Sequence, residues 1–89
     1  MGPEAVRLMR AIKERCPDVK AGAVVDPFIA AAGVELNPTD PGYRVAMREL
    51  LEAGVLKPRP DLDHQAASIM GANPQYEVTP EGVRRIASV

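Results

Sequence analysis

The chain has one cysteine, one histidine and no tryptophan. A lone Cys16 excludes an intramolecular disulfide, and with only His64 as a further soft ligand the donor set of a structural zinc site is missing. Aromatic residues make up only 3% of the chain although hydrophobic residues make up 46%, so the core must be built from Ala, Val, Leu, Ile and Met, with Phe28, Tyr43 and Tyr76 as its large pieces. Such a core favours helices. No apolar run approaches the ~20 residues needed to cross a bilayer, so no membrane partner is expected. Met1 leads into a charged amphipathic stretch instead of the apolar run of a signal peptide, which leads us to expect a cytoplasmic protein. Charge of neither sign dominates: charged residues are 26% of the chain, the net charge is −1 and the isoelectric point is near 5.8. No nucleophile is paired with a base, so binding and not catalysis is expected, with no cofactor and no metal.

What is present is punctuation. Eighty-nine residues suffice for one core and are too few for two, so a single domain over 1–89 is expected. From Glu4 to Cys16 the residues Ala5, Leu8, Met9, Ile12 and Cys16 recur at helical spacing while Arg7, Arg10, Lys13 and Glu14 point elsewhere, which predicts a first helix over 4–16 that Pro17 stops. The run from Val19 to Val25 reads as a short strand or an extra helical turn. In VVDPFIAAAGV, Asp26 stands at an N-cap, Pro27 at the first helical position and Gly33 where a left-handed residue ends a helix, predicting a short, nearly all-buried second helix over 27–32.

The stretch NPTDPGYRVAMRELLEAGVLKPR predicts the third helix, over 38–53, starting at Pro38 or Pro41, with Asn37 and Asp40 as a capping-box variant. Tyr43, Met47, Leu50 and Leu51 form its buried stripe, and Arg44, Arg48 and Glu52 a solvent stripe at i, i+4 and i+8. Gly54 terminates it. The residues VLKPR then read as a strand whose Pro58 and Pro60 suit only an edge or an end. Leu62, Ala66, Ile69 and Met70 are spaced for a short helix between Asp61 and Gly71, with a mobile loop as the rival reading. The words YEVTPEGVRRI change period at Thr79, from a strand at Tyr76 to a helix over 80–88. The strand from Tyr76 to Thr79 is expected to pair antiparallel with Val55 to Arg59, and Val83 and Ile86 to be buried against the first and third helices.

Together, MRELLEAGVLKPR and YEVTPEGVRRI resemble the winged helix-turn-helix regulators of the MarR and PadR families, in the leucine-glutamate-alanine-glycine end of a recognition helix and in a wing strand that runs through tyrosine, threonine and glycine into a helix. The resemblance covers about residues 26 to 87. It implies a mainly α fold, a three-helix core with a small two- or three-stranded antiparallel wing over 55–79 carrying an insertion at 61–75. In it Thr79 caps the last helix and Gly82 lets it pack closely. It further implies a small transcriptional regulator that docks its third helix in the major groove of double-stranded DNA. The residues it brings to nucleic acid are Thr39, Arg44, Val45 and Arg48 of the recognition-type helix and Lys57 and Arg59 of the wing.

Each residue has a plainer reading beside this one. Arg44 and Arg48 are ligands of phosphate or guanine on such a helix, and equally ordinary exposed arginines, with Glu52 in reach of Arg48. Asp40, Pro41 and Gly42 occupy the first turn where the family offers hydroxyl or basic residues, and Asp61, Asp63 and Glu77 accompany the basic residues of the wing. A lone His64 in a polar segment, a buried or half-buried Cys16 and an isolated Asp61 and Asp63 pair read as structural or solvated groups. The alternative function is a winged-helix module for protein contact through the insertion, where Ile69 and Met70 lie. A homodimer, if formed, would use the first helix.

Overall fold

The computed structural model describes residues 2–37, 39–58 and 75–89. The second wing residue Arg59, the insertion with His64, Ile69 and Met70, and the Pro38 start of the third helix lie outside the described residues.

The described chain is mainly helical with a small antiparallel sheet, in the order α1 (Pro3–Arg15), β1 (Val24–Val25), α2 (Pro27–Ala32), α3 (Pro41–Glu52), β2 (Leu56–Pro58), β3 (Tyr76–Val78) and α4 (Pro80–Ala87). Each of these helices opens on a proline, at Pro3, Pro27, Pro41 and Pro80, after an extended residue. Proline suits that position because the first-turn N–H groups have no partner inside the helix, and its ring holds the preceding residue out of the helical region. The third helix therefore starts at Pro41, with Asp40 as its N-cap. Asn37 does not cap it. Its side-chain oxygen instead accepts the backbone N–H and the hydroxyl of Thr39, at 3.0 and 2.8 Å.

The ends of α2 and α3 share one motif with different residues. After α3, Val55 N–H donates to Leu50 O and Gly54 N–H to Leu51 O, with Gly54 left-handed at φ 74°. After α2, Leu36 N–H donates to Ala31 O and Glu35 N–H to Ala32 O, with Glu35 left-handed at φ 60°. Both are the closing turn in which the residue past the cap turns left-handed and the next apolar residue, Val55 or Leu36, folds back into the core. Gly33 is thus not the left-handed position; it is right-handed at φ −70°, and the turn runs two residues further before closing.

Helix α1 is the hub and packs against α2, α3 and α4. Its Ala5, Leu8, Met9, Ala11 and Ile12 are buried, as are Ala46, Met47 and Leu50 of α3, and each large side chain of this set contributes about 1.5 to 3 kcal/mol by leaving water. Two side chains bind α1 at its ends: Glu49 of α3 accepts the N–H of Gly2 at 2.8 Å, and Lys13 donates to the carbonyls of Ala87 and Val89 at the end of α4, at 3.3 and 2.8 Å. Helix α2 is less buried than its composition suggests. Only Pro27, Ala30 and Ala31 are buried, because six residues turn less than twice and cannot hide every side chain, so Phe28 and Ile29 stay exposed at 39% and 44%.

The stretch before α2 resolves as a strand. Gly22 is left-handed in a tight turn, and β1 follows as one edge of a three-stranded sheet ordered β1-β3-β2. In register, Val24 faces Glu77 and Val25 faces Tyr76, while Leu56, Lys57 and Pro58 face Val78, Glu77 and Tyr76. The central strand leads directly into α4, as the period change at Thr79 predicts. Thr79 caps α4 by accepting Gly82 N–H at 2.9 Å, and its N–H donates to Val55 O at 3.1 Å. Its hydroxyl proton is shared between the carbonyls of Gly54 and Val55. Helix α4 buries Ile86 fully and Val83 in part, and its main neighbours are α1 and β3, not α3.

Candidate nucleic-acid interface

On α3 the buried face is made by Ala46, Met47 and Leu50, so the opposite face presents Arg44, Val45, Arg48 and Glu52 to solvent. Arg44 and Arg48 stand one turn apart, and among the described residues neither has a carboxylate within 4 Å. Glu52 does not pair with Arg48, and Glu49 is engaged at the start of α1. The structure therefore brings Arg44, Val45 and Arg48 together on one exposed face, with Val45 at 39% exposure.

The other residues implied by the resemblance are arranged differently. Thr39 precedes the helix, and its hydroxyl proton goes to Asn37, so what it offers outward is an acceptor, the wrong polarity for a phosphate oxygen. Lys57 lies on β2 directly opposite Glu77, with which it pairs at 3.4 Å, so its charge is offset locally. An exposed pair of this kind contributes little to stability.

Two exposed residues escaped the sequence reading. Leu51, assigned to the buried stripe, is 37% exposed, because it lies at the margin of that stripe next to Arg44 and Arg48. Phe28, assigned to the core, stands in the wall of the same hollow. Together Phe28, Tyr43, Met47, Leu51 and Tyr76 line an open groove of about 540 Å³ between α2, α3 and β3, with Arg44 and Arg48 on its rim. The rings of Phe28 and Tyr43 meet edge to face, with centroids 6.0 Å apart at 78°. Burial, with the neighbouring Tyr76 and Asp26, pushes the Tyr43 phenol up to about 12, and burial also raises Tyr76. The Tyr43 hydroxyl is therefore neutral at physiological pH.

Elsewhere, Glu81 in the first turn of α4 accepts from Arg85 and Arg84, which hold its carboxyl below the usual range. Among the described residues no cluster of His, Cys, Asp and Glu is placed to hold a metal ion, and no helix is long and apolar enough to cross a membrane. No family model, no curated protein and no solved structure matches this chain.

Proposed function

We propose that the chain is a winged-helix nucleic-acid-binding protein, acting as a small transcriptional regulator, that lays α3 in the major groove of duplex DNA and the β2–β3 ribbon along the backbone. The observation that carries this reading is the pair Arg44 and Arg48, exposed on the outer face of α3 without a carboxylate partner among the described residues. The element order and the sheet order β1-β3-β2 support it, because they set α3 and the ribbon side by side around a helical core. The stripe Asp40, Arg44, Arg48, Glu52 sums to no net charge, so few phosphate contacts are made and the salt dependence of binding rests on the two arginines.

A titration against random duplex DNA tests it. Replacing both arginines with Gln flattens the log–log salt dependence by up to roughly two if both contact phosphates, each contact contributing about 0.9. Replacing both with Glu abolishes binding and leaves the fold intact, since neither side chain is buried. Absence of duplex binding by the unmodified protein at ~50 mM salt, where the electrostatic contribution is strong, removes the reading. A second reading, a winged-helix module for protein contact, is favoured by the exposed Phe28, Ile29, Val45 and Leu51 on α2 and α3.

A further inference from the structure

The chain has three aromatic residues, one Phe and two Tyr, and all of them line the groove between α2, α3 and β3. Tyr43, Tyr76 and Met47 are the more buried parts of its lining, and Phe28 and Leu51 are exposed walls at 39% and 37%. Large apolar side chains left in water at one place are a cost that an occupant relieves, and the two guanidinium groups beside them, with no ion-pair partner among the described residues, supply the charge that selects it. We propose that this groove docks an acidic amphipathic helix of another protein, whose bulky apolar side chains fill the space between Phe28, Tyr43 and Leu51 and whose carboxylates pair with Arg44 and Arg48.

Charge and shape select this occupant. A cationic segment is repelled by both arginines, and a purely apolar one leaves their charges desolvated without partners. Carboxylates take a guanidinium in a bidentate pair, and acids at i and i+4 of a helix repeat the spacing of Arg44 and Arg48. Apolar residues at i+3 and i+7 of that helix then fall alongside, over the groove. A stacked nucleobase fits less well. Tyr43 and Tyr76 are half-buried, and Tyr43 is already packed edge to face with Phe28, so neither tyrosine offers the free flat ring that base stacking uses. An open groove also lacks the enclosure by which small-molecule sites cover most of a ligand's surface. The proposal stands apart from duplex binding, though the two share Arg44 and Arg48 and so exclude one another.

The test is selection of a displayed library of random peptides, about fifteen residues long, enough for some four turns of helix, on the folded chain and in parallel on the double variant Arg44→Gln, Arg48→Gln. We expect the pool from the unmodified chain to gain acidic residues spaced three or four apart together with Leu, Ile or Phe, and the pool from the double variant not to. A synthetic peptide from the enriched pool should shift the amide resonances of Phe28, Tyr43, Leu51 and Tyr76. It should bind about tenfold or more weakly to the double variant and to Leu51→Ser, as anchor residues of an interface do. No enrichment, enrichment without acids, equal enrichment on the double variant, or shifts away from the groove each overturn the proposal. Leu51→Ser retains both arginines, so duplex binding measured on it separates failure of this proposal from failure of the DNA reading.

Discussion

A Cβ added to Gly82 would lie 2.1 Å from the carbonyl oxygen of Val55. The first turn of α4 rests directly on the backbone that links α3 to β2, and the same carbonyl accepts the N–H of Thr79. The obstacle is main chain and cannot swing aside. Gly82→Ala should cost more than the about 1 to 3 kcal/mol usual for an overpacked core, because it separates α4 from the turn instead of displacing a side chain. Urea unfolding would check this, and an unchanged midpoint would show that α4 adjusts freely.

The matched turns after α2 and α3 give an opposed pair of substitutions. Glu35 holds a left-handed backbone that costs an ordinary residue about 1 to 2 kcal/mol, so Glu35→Gly should stabilise by up to about 1 kcal/mol once glycine's greater freedom in the unfolded chain is subtracted. Gly54→Ala should destabilise by about 1 to 2 kcal/mol, since nothing but the backbone angle opposes the methyl group. Thermal melts of the two variants moving in the same direction would contradict the common motif.

Adjacent leucines on α3 should behave very differently. Leu50 is fully buried, and Leu50→Ala should cost about 2 to 5 kcal/mol through lost burial and the cavity left behind. Leu51 faces the groove, and Leu51→Ala should change stability by within about 0.5 kcal/mol. Similar losses for both would mean that the groove is closed in solution.

Tyr43 sets an alkaline limit. Its phenol sits at about 12 in the folded chain against 10.0 when unperturbed, so both states are protonated below pH 10 and the contribution to stability is complete there. Between about 10 and 12 the unfolded chain releases the proton and the folded one keeps it, so stability falls as the pH rises. Tyr43→Phe should remove this part of the loss, seen as a flatter dependence of unfolding midpoint on pH above 10, and phenolate absorbance of the unmodified protein should include a late-titrating tyrosine.

Local chemistry was readable in the sequence wherever one residue type has one use. Asp26 before Pro27, Thr79 before Pro80 and Gly54 after Glu52 mark helix ends that the structure reproduces, because caps and prolines act through the nearest turn of backbone. Long-range arrangement was less readable. The stretch before Val25 left strand and helical turn open because two residues carry no period, and only pairing with Tyr76 and Glu77, far along the chain, makes them β1. The aromatic character of Phe28 and the helical spacing of Leu51 point to the core, but burial depends on which faces a short helix can cover. Of the candidate site, the shared exposed face of Arg44 and Arg48 follows from helical spacing and their part in a nucleic-acid interface only from the resemblance, whereas the groove beside them has no local signal, since its walls come from three separate elements.

The sheet order has a kinetic consequence. Strands β1 and β2 do not touch each other; β3 lies between them and is the last of the three along the chain. A growing polypeptide can gather α1, α2 and α3 early, yet both outer strands must wait with unpaired edges until Tyr76, Glu77 and Val78 have emerged, so this short segment closes two gaps in one event. Conversely, anything that pulls β3 out exposes two edges at once, which makes its release the step at which neighbouring molecules are most open to joining strand to strand.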